Sequence, residues 1–178
     1  MLFSRIQKNL GSWIVIASIA GAFLSAVASL QQVIADGGKA LHYWMGNWQP
    51  PLGIEFVIDP ISGALAVLIT FIALLGSLYS LPFVKEEGWL HIGGYYTLYG
   101  LMTVGMCGMV ITGDVFNLYV FLEVMSLSGY GLIAIGGKKS MLAAFRYLLI
   151  GTIGASLYLL GVGYMYALTG TLNMADMA

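Results

Sequence analysis

Glu123 is the residue whose position most asks for a chemical explanation. The stretch from Val115 to Gly136 holds no other Asp, Glu, Lys or Arg, and it is long enough to cross the apolar core of a bilayer, about 20 residues. Glu123 stands eight residues beyond Val115, roughly 12 Å along a helix rising 1.5 Å per residue. An ionisable group at such a depth costs about 2.5 kcal/mol or more and marks a functional site by default. The plainer reading is a structural carboxyl, protonated or hydrogen-bonded to a neighbouring helix. Tyr119 precedes Glu123 by four residues, Ser126 follows by three and Tyr130 by seven. On a helix these spacings place all four side chains on one face, and Asn117 and Ser128 fall away from it. Hydroxyls around a carboxyl can order water and pass protons, and such a carboxyl can act as both acid and base. Chance alignment would give the same stripe.

Arg146 is the second candidate for a proton path. It stands about a turn and a half into the next apolar stretch, where a long cation commonly reaches back to the interface. Counting helical rise from each end separates it from Glu123 by roughly 10 Å in depth, so a link between them would run through water. His42 and His91 lie near predicted helix ends and have no ligand partners at useful spacing. The single cysteine, Cys107, stands in an apolar run and reads as a small buried hydrophobe. The sequence holds no phosphate-binding loop, metal-ligand cluster, or nucleophile with its base. No cofactor, no metal and no catalytic chemistry of the chain's own are therefore expected.

The elements that position Glu123 follow from composition. Of 178 residues, 60% are hydrophobic and 8% charged, with a mean hydropathy of +0.90. A soluble domain carries roughly a quarter charged residues and must still present a wet exterior. The expected fold is therefore an all-α integral membrane bundle of about five transmembrane helices, read as one domain over 1–178. The apolar stretches run over about 11–35, 61–84, 92–112, 115–136 and 141–168. Asp59-Pro60 has the chemistry of a cap with proline in the first turn. Asp114 can cap the fourth helix, and Gly136-Gly137-Lys138-Lys139 suits its end. The longest loop, 36–58, holds Tyr43, Trp44 and Trp48, aromatics suited to a membrane interface. Ser18, Ala22 and Ala26, and again Gly151 and Ala155, form small faces that allow close helix contact.

Cations set the expected orientation. Arg5, Lys8, Lys85, Lys138, Lys139 and Arg146 fall on one side of a five-helix bundle and Lys39 on the other, which accounts for all seven. Lysines and arginines favour the cytoplasm, so the N-terminus is expected inside, the C-terminus outside, and the chain in the cell membrane. A rival reads Arg5, Lys8, the apolar run and Ala26-Val27-Ala28 as a signal peptide. The run is long for one, and its removal would leave the other four helices as they are. The net charge of −1 points to no nucleic-acid partner.

The segment Thr112-Gly113-Asp114-Val115-Phe116-Asn117-Leu118-Tyr119-Val120-Phe121-Leu122-Glu123-Val124-Met125 resembles the D subunit of Mrp-type sodium/proton antiporters. It likewise resembles the antiporter-like subunits of complex I and membrane-bound hydrogenases. Gly53-Ile54-Glu55-Phe56-Val57-Ile58-Asp59, Arg146-Tyr147-Leu148-Leu149 and Leu168-Thr169-Gly170-Thr171-Leu172-Asn173-Met174 carry the same resemblance, which covers most of the chain from about residue 50. It implies a mid-membrane glutamate in proton transfer at Glu123, an aromatic-rich bundle and no bound cofactor. It also implies further helices, the next of which bears a lysine paired with the glutamate. Here no lysine is expected within the membrane, Lys85, Lys138 and Lys139 reading as loop residues, so the chain alone is expected to lack a complete path. The expected function is a membrane subunit of a multi-subunit ion-translocating complex, moving protons and, in an antiporter, sodium. Another membrane subunit would supply the lysine-bearing helices, and a redox enzyme would drive the related hydrogenase-type complexes. The alternatives are a non-transporting structural subunit and an independent carrier. Five helices without the interrupted segments of a carrier's midplane site disfavour the last.

Overall fold

The computed structural model describes residues 2–84 and 89–178, with side chains described over 10–84 and 92–178. Five long helices run α1 (Leu2–Ala35), α2 (Pro60–Val84), α3 (Trp89–Ile111), α4 (Val115–Ile135) and α5 (Lys138–Thr169), and a short α6 spans Met174–Met177. All five long helices are long and apolar enough to cross a bilayer, so the chain is an all-α, multi-pass membrane bundle. Apolarity marks the membrane-crossing part of a helix rather than its ends. Thus α1 starts at Leu2 although its apolar part starts near Leu10, and α5 starts at Lys138, ahead of the apolar stretch. Lys85 lies outside the described residues, as do the side chains of Arg5, Lys8 and His91.

The helices pack in sequence, with α3 between α2 and α4, α1 against α2 and α3, and α5 against α4. Glycines set how closely they approach. A Cβ at Gly105 would lie 2.7 Å from the Met125 backbone nitrogen, and one at Gly108 would fall on the Phe121 ring. At Gly151 a Cβ would meet the Tyr130 hydroxyl, and at Gly63 it would lie 3.1 Å from Leu30. The first helix joins the bundle through Phe23, whose ring lies 5.7 Å from that of Phe71. Its Ile16 packs with Ile92 and Tyr96 in the core.

A seam of hydroxyls binds α2 to α3. Tyr96, 1% exposed, donates to the Ser77 carbonyl at 3.2 Å and lies 3.1 Å from the Ser80 hydroxyl. Tyr99 donates to the Ala73 carbonyl at 3.1 Å. Thr70 and Thr103 return their hydroxyls to carbonyls of their own helices. Inside a bilayer a buried hydroxyl must find a protein acceptor, and helix carbonyls are the acceptors at hand.

The loop at 36–58 contains a β-hairpin. Strands β1 (Leu41–Trp44) and β2 (Glu55–Ile58) pair antiparallel, with His42 opposite Val57 and Trp44 opposite Glu55. Alternation along each strand puts His42, Trp44, Glu55 and Val57 on one face. Glu55 fastens that face to the rest of the molecule. Its Oε1 accepts from Trp44 Nε1 at 3.2 Å and lies 2.8 Å from His42 Nδ1, and its Oε2 accepts from Asn173 Nδ2 at 2.9 Å. The Glu55 carbonyl accepts from Gly113 N at 2.8 Å. The segment after α5 turns at Gly170, φ +71°, in the left-handed region that suits glycine. It then runs beside the start of α4, with Val115 N bonded to Leu172 O and Met174 N to Gly113 O. One residue thus ties the hairpin, the α3–α4 turn and the C-terminal segment together, the carboxylate joining the hairpin to Asn173 and the backbone carbonyl holding Gly113.

Burial alone would raise the Glu55 carboxyl. The bonds from Asn173, His42 and Trp44, with the charge of a protonated His42, outweigh it and hold the group below the ordinary glutamate value. Asp59 is held low as well, by the Ser62 amide and hydroxyl at the start of α2.

Gly108→Ala should destabilise the bundle by about 1–3 kcal/mol through overpacking against Phe121. Gly161→Ala, where a Cβ meets nothing within 4 Å, should cost nothing measurable; denaturant unfolding in detergent compares the two. A depressed carboxyl contributes stability that is complete above its unfolded value and is lost as pH falls through its folded value. The Glu55 carboxylate's contribution to thermal stability should therefore be complete near neutrality and decline as pH falls below the ordinary glutamate range. In Glu55→Gln the decline should be shallower, and stability at neutral pH should be lower by about 1–3 kcal/mol, the scale of hydrogen bonds to a charged group.

Candidate functional site

Asp114 starts α4. Its backbone is extended, and its Oδ1 accepts from Asn117 N at 2.7 Å, the geometry of an N-cap. The Asn117 side chain donates to the Thr112 hydroxyl at 3.0 Å, and Asp114 bridges to Asn173. With its first turn anchored in this way, α4 presents two faces to two neighbours. Phe121 and Met125 pack against Gly108 and Gly105 of α3, and Ser128 is buried with its hydroxyl on the Val124 carbonyl at 2.6 Å. Asn117 and Ser128 therefore serve the cap and the packing, away from Glu123.

The other side of α4 meets α5 through aromatic rings. Tyr119 stacks on Tyr158 with centroids 6.4 Å apart and planes at 7°, and Tyr130 meets Tyr147 edge-on at 4.7 Å. The Tyr158 hydroxyl donates to the Val115 carbonyl at 3.0 Å. Between the two ring pairs lies a groove of about 280 Å³, lined among others by Ser126, Tyr130, Tyr147, Gly151, Gly154 and Tyr158. Three of the four residues predicted to share a face, Tyr119, Ser126 and Tyr130, thus come together against α5.

Glu123 lies half-buried on the edge of that face. Among the described residues, none hydrogen-bonds or ion-pairs with it. Tyr119 lies level with Tyr158 and Tyr130 with Tyr147, so Glu123 lies level with Gly154. A Cβ at Gly154 meets nothing within 4 Å, and Gly154 lines the groove between the ring pairs, whose lining on α4 is Leu122, Met125, Ser126 and Tyr130. Arg146 is exposed and lies eight residues from Gly154, about 12 Å of helical rise. The structure does not bring Arg146 and Glu123 together.

Sequence reasoning passed over Tyr147 and Tyr158, the α5 partners of the Glu123 stripe. A signal for them exists. They flank Gly151 and Ala155 at helical spacing, so the small face of α5 carries an aromatic ring at each end. Sequence reasoning likewise passed over Glu55, whose partners lie up to 118 residues away along the chain. Among the described residues, no group of three or more His, Cys, Asp or Glu side chains could hold a metal ion.

Residues 112–178, which hold α4 and α5, match the family model described as NADH:quinone oxidoreductase/Mrp antiporter, transmembrane. The chain is 47% identical to the N subunit of the NADH-quinone oxidoreductase of Desulforudis audaxviator, over 99% of its own length and 35% of that protein. It is 36% identical to the D subunit of the Na(+)/H(+) antiporter of Bacillus subtilis, over 91% of its length and 32% of that protein. Among solved structures it is similar to a chain of the membrane-bound sulfane sulfur reductase, an archaeal respiratory membrane complex. The TM-score is 0.87 at 31% identity, over 99% of this chain and 36% of that one. The chain spans about a third of the length of these relatives. By sequence and by fold, it belongs to the NADH:quinone oxidoreductase/Mrp antiporter family of transmembrane proteins.

Proposed function

We propose that this chain serves in a multi-subunit ion-translocating membrane complex, of the Mrp antiporter or complex I-like kind, with Glu123 exchanging protons along a path completed by helices outside it. The observation that carries this reading is the setting of Glu123. A carboxyl within a membrane-crossing helix needs a partner, and none of the described residues provides one, while the space at the level of Gly154 is open. A lysine-bearing helix from another subunit would both neutralise the carboxyl and extend the path. Tyr119, Ser126 and Tyr130 would order water beside it, and Arg146 would connect at the near interface through water. The cation bias favours an N-terminus in the cytoplasm and a hairpin end outside. Protons are the ion this site can handle, and sodium would be the exchanged ion in an antiporter.

A structural role is the competing reading, and one observation favours it. Tyr119 and Tyr130 spend their rings on α5, and no hydroxyl of the stripe bonds Glu123. Glu123→Gln separates the two readings, because glutamine keeps size and polarity but does not titrate. In membrane vesicles bearing the assembled complex, this variant should lower ion-coupled proton movement by about 100-fold, the scale of a positioned acid-base group. Unchanged transport in a normally assembled complex would leave Glu123 a strut. Mild-detergent purification of the tagged chain, followed by mass spectrometry, should recover further membrane subunits. A chain that runs alone would defeat the assignment to a complex.

A further inference from the structure

His42 and Glu55 lie at the hairpin end of the bundle, apart from the Glu123 face. We propose that they form a proton-binding dyad. His42 Nε2 takes a proton from water while Nδ1 stays bonded to Glu55, so that the bound proton tightens the fastening of the hairpin. This role stands independently of Glu123.

The tautomer follows from the partners of the carboxylate. Glu55 is 8% exposed and accepts from Trp44 and Asn173, which suits an ionised group that can only accept. The atom of His42 that meets it at 2.8 Å is Nδ1, so Nδ1 carries hydrogen whether the ring is neutral or charged. Nε2 is then the bare nitrogen of the neutral ring. The ring is 50% exposed, and no described residue bonds Nε2. A proton arriving there adds one positive charge and breaks no bond within the protein. It converts a neutral donor to the carboxylate into a charged one, a stronger hydrogen bond.

The surrounding charges leave Glu55 as the carboxylate for this ring. Asp59, at the start of α2, lines the same cavity of about 280 Å³ as His42, Glu55 and Asn173, but its Oδ1 accepts from Ser62 N at 2.6 Å. Asp114, at the α3–α4 turn, is spent on Asn117 N. Asp176, on α6, accepts from the Thr171 hydroxyl at 3.2 Å. Lys39 stands on the exposed approach to β1, and Tyr43 faces the other side of the strand. Because Glu55 also holds Asn173 through Oε2 and Gly113 through its carbonyl, a change at the ring acts on the joint of three segments.

Trp44 is a built-in reporter, since its indole N–H shares Oε1 with His42. The full chain, labelled with 15N in histidine and tryptophan and held in lipid nanodiscs, is titrated and followed by NMR. With two histidines in the chain, His42→Gln assigns the ring, and Trp44→Phe assigns the indole. Two results are expected. The neutral His42 ring carries its hydrogen on Nδ1, and the Trp44 indole resonance moves with pH in step with the ring and stays still in His42→Gln. A neutral ring bearing Nε2–H would overturn the proposal, and so would an indole that does not move as the ring gains its proton. The tautomer is read on the unsubstituted chain, and His91→Gln assigns the ring by elimination, so the reading decides the matter even if His42→Gln disturbs the hairpin.

Discussion

A bilayer offers no water to a polar group, and that constraint organises most of this structure. Each backbone and side-chain donor inside the membrane must find an acceptor within the protein. The hydroxyls of Thr70, Ser77, Thr103, Ser128 and Thr152 all turn back onto carbonyls of their own helices. Tyr96 and Tyr99 reach instead to carbonyls of α2, and so convert an internal requirement into a bond between helices. Against that background Glu123 stands out. Among the described residues every buried side-chain nitrogen and oxygen has a partner, while half-buried Glu123, on a helix apolar enough to cross a membrane, bonds none of them.

Helix association in lipid gains little from the hydrophobic effect, so close contact must supply the attraction. Here the contact is made where a side chain is missing. Gly105 and Gly108 admit Met125 and Phe121, and Gly151 admits the Tyr130 hydroxyl. Other glycines of α5, among them Gly154, Gly161 and Gly163, face open space. The same residue type therefore marks both the contacts made within this chain and surfaces left free on α5.

The membrane-crossing helices could be read directly from the sequence, because hydropathy over some 20 residues is a strong one-dimensional signal. Asp114 could also be read, since a cap and the helix that it starts are adjacent in the chain. The stripe around Glu123 could be read as one face of a helix, but not what faces it. Helical spacing says nothing about a neighbour, and the rings of Tyr147 and Tyr158 had to be seen in place. The hairpin escaped for a different reason. Its strands are four residues long and mix polar with aromatic side chains, too short a run for alternation to stand out. Its hub, Glu55, draws on Asn173 at the far end of the chain, and no local pattern encodes such a contact.

The two carboxylates show how surroundings divide one chemical group between two roles. Glu55 has three donors, a buried setting and bonds to three segments, so its charge is fixed and its contribution is to hold parts together. An acid so well satisfied in its charged form gives up its proton readily and takes one back reluctantly, which makes it a poor carrier but a firm anchor. Glu123 has hydroxyl-bearing neighbours along its own helix and no bonded partner among the described residues. A carboxyl in that state is costly to a bundle that need only stand. If Glu123 exchanges protons as proposed, a neighbour outside the described residues must give and take them.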